Sequence, residues 1–406
     1  MVRRHGHPAN AGLRVSGVIP RQTPIPAYQD RLVTVYLGDC RQLLSTLPSC
    51  SVDSVVTDPP AGIEFMAQPW DTFRQPGTSA SRPAFVAFLR GVMAQCLRVL
   101  RPGGHTLVWA IPRTSHWTAT AVEDAGFEIR DVITHHFGSG FPKSRNLTDA
   151  WRGWGTALKP ASEHWILARR PLSEGNTALN VERWRTGALN IDACRIPLTG
   201  LDRNIVGRWP ANVLLSHAPA CHGECSRECP VAELDQQSGI SKTRRIHSPS
   251  DCGGNTWGGT FQIHRGPRGY DDAGGASRFF YVAKPSVQER DAGLAESPVR
   301  IADPYGQHRG RRSQDKRRFD GRAPRLAHNH HPTVKSVVLM RYLCQLVTPP
   351  GGTILDCFAG SGSTLIAAKS LGFHAIGIER DPAYVEIICR RVHHAQPPGS
   401  FIEGSA

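Results

Sequence analysis

The sequence predicts an α/β fold built around a mainly parallel sheet. Strand-like apolar runs alternate with segments of helical period in residues 31–170, and the same alternation returns in residues 329–395. Strands that alternate with helices are typical of a parallel sheet, because each helix carries the chain back to the start of the next strand. Residues 171–300 lack this rhythm and are rich in Gly, Arg, Trp, Cys and Ser, which predicts an irregular insert.

The N-terminal half of the predicted sheet lies in residues 31–170. In chain order it contains a strand "RLVTVYLGD", a short helix "CRQLLSTLP", a strand "SVDSVVTD", a helix "RPAFVAFLRGVMAQCLRVLRPGG" and a strand "HTLVWAI". Leucines at helical spacing indicate the first helix, and paired glycines are a normal helix stop. Residues 1–30 are basic and contain several prolines, so we expect a loose arm there.

The C-terminal half of the predicted sheet lies in residues 329–395. It contains a helix "HPTVKSVVLMRYLCQLVTPPGG", then a strand, glycine loop and helix in "TILDCFAGSGSTLIAAKSLG", and a strand and helix in "FHAIGIERDPAYVEIICRRVHHA". Residues 301–328 are basic and poor in large aliphatic side chains, which predicts a linker. Residues 396–406 form a short tail.

The composition favours a polyanionic partner. The 406 residues include 48 Lys and Arg against 34 Asp and Glu, a formal net charge of +14. This balance favours nucleic acid over a membrane surface, with a merely basic soluble enzyme as the alternative. We expect no targeting or membrane-spanning segment, because no long apolar run is present. The 11 cysteines are odd in number and mostly isolated in apolar contexts, which favours a reducing cytoplasm.

The segment "TILDCFAGSGSTLIAAKSLGFHAIGIE" has the pattern of a ligand-binding loop. A strand ends at Asp356, Gly360 and Gly362 permit a tight turn, and a helix begins near Ser363. The next strand ends at Glu379, where dinucleotide-binding folds carry an acid for the ribose. The loop begins with an acid and lacks the Lys of a phosphate-binding loop, so it suits a ligand with a positive charge, such as the amino-acid end of S-adenosylmethionine. A glycine-rich turn without a ligand is the alternative.

Residues 57–61, "TDPPA", place an acid and two prolines at the end of a predicted strand, the edge where open α/β sheets bind ligands. Because proline fixes φ and lacks an N–H, Pro59 and Pro60 hold the Asp58 carboxylate and the Pro59 carbonyl in one rigid geometry. Two convergent acceptors suit the exocyclic NH₂ of adenine or cytosine, and would leave its lone pair free to attack an electrophilic methyl group. Taken alone, the same residues also fit a simple loop breaker.

These segments, in this order, resemble the amino-directed DNA methyltransferases that modify adenine N6 or cytosine N4. The resemblance is to the permuted class, whose catalytic motif precedes the cofactor loop, and rests on "VTDPPA", "NHHPTVKSVVLMRYL", "LDCFAGSGST" and "VYLGDC". The phrases "GSGFPKSRNL", "GWGTALKP", "TGALNID" and "GRWPANVLL" are similar to phage- and prophage-type methylases. The resemblance implies a Rossmann-like S-adenosylmethionine-dependent methyltransferase fold with a target-recognition insert at 171–300. It also implies a site-specific DNA methyltransferase, and Asp before Pro-Pro favours adenine N6 over cytosine N4.

The resemblance assigns roles to individual residues. Asp58 and the carbonyl of Pro59, held by Pro60, would orient the target amine. Asp39 would contact the adenine of the cofactor and Glu379 its ribose. The residues implied around S-adenosylmethionine are Asp39, Thr333, Lys335, Asp356, Phe358, Gly360, Gly362, Ser363, Thr364 and Glu379.

The sequence departs from the family at Ala61, where an aromatic residue usually follows Pro-Pro and stacks on the flipped base. Stacking of a base on an aromatic ring contributes about 1–3 kcal/mol, so another ring must replace it or the enzyme must be slow. We expect Phe65 or Trp70 in the base pocket, with Phe73 and Phe141 as further candidates. One alternative function is a weakened or non-catalytic DNA-binding relic, and another is a methyltransferase that acts on RNA or protein amides.

The insert carries the predicted DNA readers, because Arg is the usual reader of guanine edges and phosphates. Its arginines and interleaved tryptophans are Arg183, Arg185, Arg203, Arg208, Arg244, Arg245, Arg265 and Arg268, with Trp184, Trp209 and Trp257. A structural insert with a solvated charged face is the alternative.

The phrase "HAPACHGECSRECP" suggests a structural zinc site, with three loop cysteines without metal as the alternative. Its candidate ligands are Cys221, Cys225 and Cys229, completed by His217, His222 or Cys252. The sequence leaves open a partner restriction endonuclease and the oligomeric state.

Overall fold

A ten-stranded sheet organises the computed structural model. The residues that the structure describes are 24–65, 68–73, 81–138, 140, 144–198, 207–221, 224–243, 270, 272–301 and 326–399. Within them the strands are β1 (Tyr28–Gln29), β2 (Val33–Leu37), β3 (Val52–Thr57), β4 (Leu100–Ala110), β5 (Glu128–His136), β6 (Ser162–Arg169), β7 (Val213–Ser216), β8 (Ser241–Lys242), β9 (Ala273–Gly274), β10 (Tyr281–Ala283), β11 (Arg300–Ile301), β12 (Leu326–Ala327), β13 (Thr353–Asp356) and β14 (His374–Glu379).

The helices lie mostly between strands of this sheet. They are α1 (Cys40–Leu43), α2 (Arg82–Val99), α3 (Ser115–Asp124), α4 (Thr177–Trp184), α5 (Pro230–Ser238), α6 (Val287–Asp291), α7 (Val337–Val347), α8 (Ser363–Ser370) and α9 (Pro382–His394). The short helix expected after β2 is shared between α1 and a 3₁₀ turn, Leu44–Thr46.

The strand order is β1-β2-β14-β13-β3-β4-β6-β5-β7-β10. β1 and β6 run antiparallel to their neighbours, and all other neighbours in this sheet are parallel. At the centre, Ile354 of β13 pairs with Ser54 of β3. The predicted α/β class and mainly parallel sheet are therefore confirmed, and the sheet joins the two ends of the chain.

Both faces of the sheet are covered, so every residue of the central strand β3 is buried. In β3, Val55 packs in a cluster with Phe85 of α2, whereas Val56 belongs to a cluster with Leu343 of α7. Successive side chains of a strand point to opposite faces. Helices α2 and α3 therefore cover one face and α7, α8 and α9 the other, and they fix the positions of the strand ends.

The long helix α2 ends earlier than its sequence predicts. It stops at Val99, and residues 100–104 already belong to β4, with a register shift in β3 between Val52 and Ser54. Gly103 has φ +79°, and a Cβ there would collide with Nδ2 of Asn180. The paired glycines are therefore not the predicted helix stop, and Gly103 instead permits a close approach between β4 and α4.

The insert is more closely joined to the sheet than its irregular sequence suggests. β7 and β10 extend the sheet beyond β5, and α4 packs on β4. Asn180 of α4 is fully buried and donates to the carbonyls of Pro102 and Thr186. β7 and β10 are too short for hydrophobic periodicity to reveal them. The predicted arm, linker and tail lie mostly outside the described residues.

No helix in the described ranges is both long and apolar enough to cross a membrane. The cysteines in these ranges, which exclude Cys252, are free thiols.

Candidate active site

One cavity of about 1450 Å³ opens at the carboxyl ends of β2, β14, β13 and β3. It brings together four acids that follow or end these strands, Asp39, Glu379, Asp356 and Asp58. The predicted site residues that line it are Asp39, Asp58, Pro59, Pro60, Ala61, Phe65, Trp70, Thr333, Lys335, Asp356, Phe358, Gly360, Ser363, Thr364 and Glu379. The predicted catalytic, cofactor and base-pocket residues thus meet in one place, except Gly362.

The two glycines of the loop after β13 have different surroundings. Gly360 borders the cavity with φ +54°, and a Cβ there would lie 2.9 Å from Nε2 of His331. Gly362 has φ +80° and immediately precedes α8, and a Cβ there would lie 3.2 Å from Ile388 of α9. Gly362 therefore permits the turn and the packing of α9, and does not line the cavity.

Glu379 is held by backbone donors. Its carboxylate accepts N–H bonds from Gly360 at 2.8 Å and from Arg380 and Asp381 at 2.9 Å each. Burial nevertheless raises the pKa of the Glu379 carboxyl. The Glu379 side chain thereby fixes the end of β14 against the glycine loop, and it also lines the cavity.

Asp356 and Asp39 flank this carboxylate. Asp356 is 2% exposed, accepts from Oγ1 of Thr57 at 2.7 Å and from the N–H of Phe358 at 3.1 Å. Burial raises its pKa to about 6 against these hydrogen bonds. Asp39 caps α1 by accepting from the N–H of Arg41 at 2.9 Å, and also binds the Arg41 guanidinium.

Asp58 forms an ion pair with Lys335 inside the cavity. The distance from Nζ of Lys335 to Oδ2 of Asp58 is 2.6 Å, and Nζ lies 4.1 Å from the centre of the Trp109 ring. Burial raises the pKa of Asp58 even though the ammonium opposes it. Burial alone would lower the pKa of Lys335, but the carboxylates of Asp58 and Glu163 raise it.

Glu163 of β6 is a site residue that the sequence analysis missed. It lines the cavity, and its Oε2 lies 3.6 Å from Nδ1 of His135. Burial would raise its pKa, but Lys335, His135 and Trp109 lower it to about 2. The sequence does contain a signal for this residue, because Glu163 is an acid at the start of the largely apolar segment "EHWILA".

The aromatic loop after Pro60 is ordered by Asp71, which the sequence analysis also missed. The Asp71 carboxylate is fully buried and accepts from the N–H groups of Gly62 (2.6 Å), Ile63 (3.1 Å) and Phe65 (2.6 Å). The rings of Phe65 and Trp70 lie 6.2 Å apart, tilted by 40°, on the cavity wall.

The other aromatic candidates differ from these two. Phe73 also lines the cavity, but its ring packs against Phe85 and Phe88 at ring distances of 5.2 and 5.3 Å and so anchors the loop on α2. Phe141 lies outside the described residues. The carbonyl of Ala61 accepts from Oγ1 of Thr114 at 2.8 Å, which fixes the backbone after Pro-Pro.

Comparison with known proteins decides the family. Residues 52–390 match the model of a family described as DNA methylase, a span that includes the Asp-Pro-Pro segment and the glycine loop. The chain belongs to this DNA methylase family. The family predicted from the motifs is confirmed.

Individual relatives match the methylase only locally. Type II methyltransferase M.BglI of Bacillus subtilis is 40% identical over 62 residues, 15% of this chain and 18% of that protein. Type II methyltransferase M.HindIII of Haemophilus influenzae is 43% identical over 63 residues, 16% of this chain and 20% of that protein. The chain spans about one fifth of the length of these curated relatives.

Solved structures with a similar arrangement include PvuII DNA methyltransferase (cytosine-N4-specific), at 13% identity, 91% coverage of this chain, 89% of that chain and a TM-score of 0.49. Another is TTHA0409 of Thermus thermophilus complexed with S-adenosyl-L-methionine, at 16% identity, 90% and 96% coverage and a TM-score of 0.41. Because both TM-scores are below 0.5, the family assignment rests on the sequence match.

Three of the predicted arginines of the insert lie in the described residues, and one of these is buried. Arg208 is 6% exposed and donates two hydrogen bonds to Asp272, at 2.6 and 2.7 Å, so it stabilises the insert and cannot read a base from there. Arg183 pairs with Glu174 at 2.7 Å, and Arg185 caps α4 with φ 64°. The predicted Trp184 and Trp209 lie within the described residues, and Trp209 is exposed. Outside them lie Arg203, Arg244, Arg245, Arg265, Arg268 and Trp257.

The predicted cysteine cluster is brought together with one histidine. Donor atoms of His217, Cys221, Cys225 and Cys229 all lie within 4.8 Å of one another. The other two predicted partners, His222 and Cys252, lie outside the described residues.

Proposed function

We propose that this chain is a site-specific DNA methyltransferase that transfers a methyl group from S-adenosylmethionine to an exocyclic amine of a flipped base, with adenine N6 favoured over cytosine N4. The observation that carries the proposal is the shared cavity. It places Asp58, in a rigid Asp-Pro-Pro segment, beside the acids and glycine loop of a nucleoside-type site. Family membership supports the same reaction class.

The donor set of the cavity fits S-adenosylmethionine. Glu379, fixed by backbone N–H groups, suits the ribose hydroxyls, and Gly360 leaves room for a ligand against the loop. Asp356 suits a positively charged group of the cofactor. When bound, the cofactor supplies an electrophilic methyl group.

Asp58 and the carbonyl of Pro59 would orient the amine. Lys335 contacts Oδ2 of Asp58, which leaves Oδ1 for an N–H of the base. Holding both hydrogens would direct the nitrogen lone pair toward the methyl group, so most of the rate gain is positioning and preorganised electrostatics. The raised pKa of Asp58 suits a carboxylate that holds the proton released from the methylated amine. Phe65 and Trp70 would supply the ring that Ala61 lacks.

A rim beside the cavity supports DNA as the substrate. Residues 157–162 line the cavity mouth, and the preceding segment exposes Trp151 and Trp154 by 57% and 63%. Arg152 and Lys159 are exposed between and beside these rings. Basic side chains interleaved with aromatic rings suit phosphates and unstacked bases. With the insert as the target-recognition region, this rim would contact the strand that carries the flipped base. The cytoplasmic setting expected from the cysteines stays a prediction.

Asp58→Ala tests the proposal directly. We expect wild-type protein to transfer labelled methyl groups from S-adenosylmethionine to unmodified DNA, and Asp58→Ala to lose at least about a hundredfold in turnover. Cofactor affinity, measured by calorimetry, should stay within about threefold of wild type, because other residues hold the cofactor. Mass spectrometry of digested nucleosides would identify N6-methyladenine or N4-methylcytosine.

Asp124→Ala is the matched control, because Asp124 is an exposed acid at the end of α3 and should leave turnover unchanged. Near-normal turnover in Asp58→Ala would rule out the amine-orienting role. Cofactor binding without transfer to DNA would favour the relic, and transfer to RNA or protein amides instead of DNA would favour the other alternative.

A further inference from the structure

The insert contains a compact group of metal-ligating side chains remote in sequence from the active-site motifs. His217 follows β7, and Cys229 immediately precedes α5. Nδ1 of His217 lies 3.2 Å from Sγ of Cys229 and 3.5 Å from Sγ of Cys225. With Cys221, these four donors lie within 4.8 Å of one another.

We propose that His217, Cys221, Cys225 and Cys229 bind one structural Zn²⁺ ion in tetrahedral geometry. A tetrahedral ion with Zn–S bonds of about 2.3 Å separates neighbouring sulfurs by about 3.8 Å. The four donor atoms already lie within 4.8 Å of one another, so binding of the ion requires only small side-chain adjustments. The soft thiolates and the imidazole form a Cys₃His set, which favours zinc over hard cations such as Mg²⁺ or Ca²⁺.

The surroundings of the cluster resemble a supported metal site more than a chance group of thiols. The N–H of Ser226 points at Sγ of Cys221 at 3.3 Å, as backbone donors do toward metal-bound sulfur. Cys221 and Cys229 are buried. Four protein ligands complete the coordination, which is the pattern of a structural rather than a catalytic site.

The position of the cluster explains what the ion would stabilise. Cys221, Cys229 and Val231 form a small apolar cluster of their own, against which Leu215 of β7 and Val282 of β10 pack. A core this small supplies little free energy, and small modules commonly compensate with metal ligands. The ion would therefore fasten α5 to the outer strands β7 and β10, on which the insert is built.

Metal analysis of the full-length protein tests the proposal. Protein purified without chelators should contain about one zinc per chain by plasma mass spectrometry. Cys225→Ser and His217→Asn should each lower that content at least about fivefold, since each removes a ligand. Cys389→Ser is the matched control, because Cys389 is a half-buried thiol on α9 outside the cluster, and should retain the metal.

A second measurement covers variants that fail to fold. Wild-type protein stripped of metal and loaded with Co²⁺ should show the visible absorption bands of a tetrahedral cobalt–thiolate site. Stripping should also lower the thermal midpoint, and added Zn²⁺ should restore it. If the native protein contains no metal and its thermal midpoint does not change on addition of Zn²⁺, the proposal is wrong. A disulfide among Cys221, Cys225 and Cys229, or iron in place of zinc, would overturn it too.

Discussion

Asp356 illustrates how burial tunes single residues in this cavity. Its pKa is raised from an ordinary 3.8 to about 6 by burial. Because folding favours the protonated form, this contribution to stability is complete below about pH 4 and is lost as pH rises through 6. At neutral pH the ionised carboxylate lowers the free energy of unfolding by about 3 kcal/mol. A cationic ligand would offset this cost by pairing with the carboxylate.

The pH dependence of cofactor affinity should reveal this group. If the ionised Asp356 carboxylate binds the cofactor, affinity at pH 5 should be about tenfold weaker than at pH 7, because about a tenth of the carboxyl groups are then ionised. His331, which also borders the cavity, has its pKa lowered to about 3 by burial and stays neutral across this range. Calorimetric titration at both pH values measures the effect.

Asp356→Asn is the control for that titration, since it preserves the size of the side chain and removes the titrating group. The variant should bind with an affinity that changes little between pH 5 and pH 7. A tenfold pH effect that persists in Asp356→Asn would assign the titration to another residue.

Residues at strand ends could be predicted from the sequence, whereas residues that act through distant partners could not. Asp58, Asp356 and Glu379 each end an apolar run, so the sheet edge brings them together. Glu163 enters the site because β6 pairs with β4, an arrangement that no local pattern encodes. Asp71 looks like an ordinary loop acid until its three backbone donors are seen.

At the scale of elements, Gly362 of the glycine loop has a role in the fold that its place in the motif does not indicate. The family resemblance places Gly362 among the residues around S-adenosylmethionine. In the fold it permits a positive φ before α8 and contact with Ile388. Its substitution should therefore act through the fold of the loop and not through a clash with the cofactor.

Gly362→Ala should lower the free energy of unfolding by about 1–3 kcal/mol, because Ala resists φ +80° and its Cβ would press on α9. Gly91→Ala is the contrasting variant, since Gly91 is an exposed residue of α2 with open space where a Cβ would stand. It should raise stability by about 0.5–1 kcal/mol. Denaturant unfolding measures both, and an unchanged Gly362→Ala would contradict the assigned role.

The aromatic loop is the second element with a testable role. Phe65→Ala and Trp70→Ala should each reduce turnover by about 5–100-fold, with little effect on cofactor affinity, if these rings hold the flipped base. Phe73→Ala should instead lower stability, because its ring packs on α2.

Ala61→Tyr should leave turnover unchanged or lower it, since a second ring would compete with Phe65 or Trp70 for space in the base pocket. A clear rise in turnover for Ala61→Tyr would favour the weakened-relic interpretation.

The ends of elements were less predictable than their existence. The strand–helix alternation was found correctly, but α2 stops at Val99 because the Pro-Gly-Gly segment joins β4. The sequence did not predict β7 and β10, because strands of four and three residues are too short to show a hydrophobic periodicity.

At the scale of the whole molecule, the net charge of +14 predicts how DNA binding responds to salt. If the protein contacts at least about four phosphates, DNA affinity should fall about a hundredfold between roughly 50 and 200 mM salt, because counterions are released on binding.

Replacing residues 171–300 with the insert of a relative should change the methylated site and leave the chemistry intact. A hybrid that keeps the original site would place specificity elsewhere.

The pairing of β13 with β3 also has a consequence for biosynthesis. Thr57 and Asp356, which share a hydrogen bond beside this junction, are 299 positions apart. At about 5–20 residues per second, the ribosome needs roughly 15–60 s between them, during which one edge of β3 has no partner. A nascent chain that carries the Asp-Pro-Pro segment therefore still lacks the glycine loop after β13. If the chain is the proposed methyltransferase, methyl transfer can begin only after translation has passed Glu379, because the Asp-Pro-Pro segment is synthesised before the glycine loop.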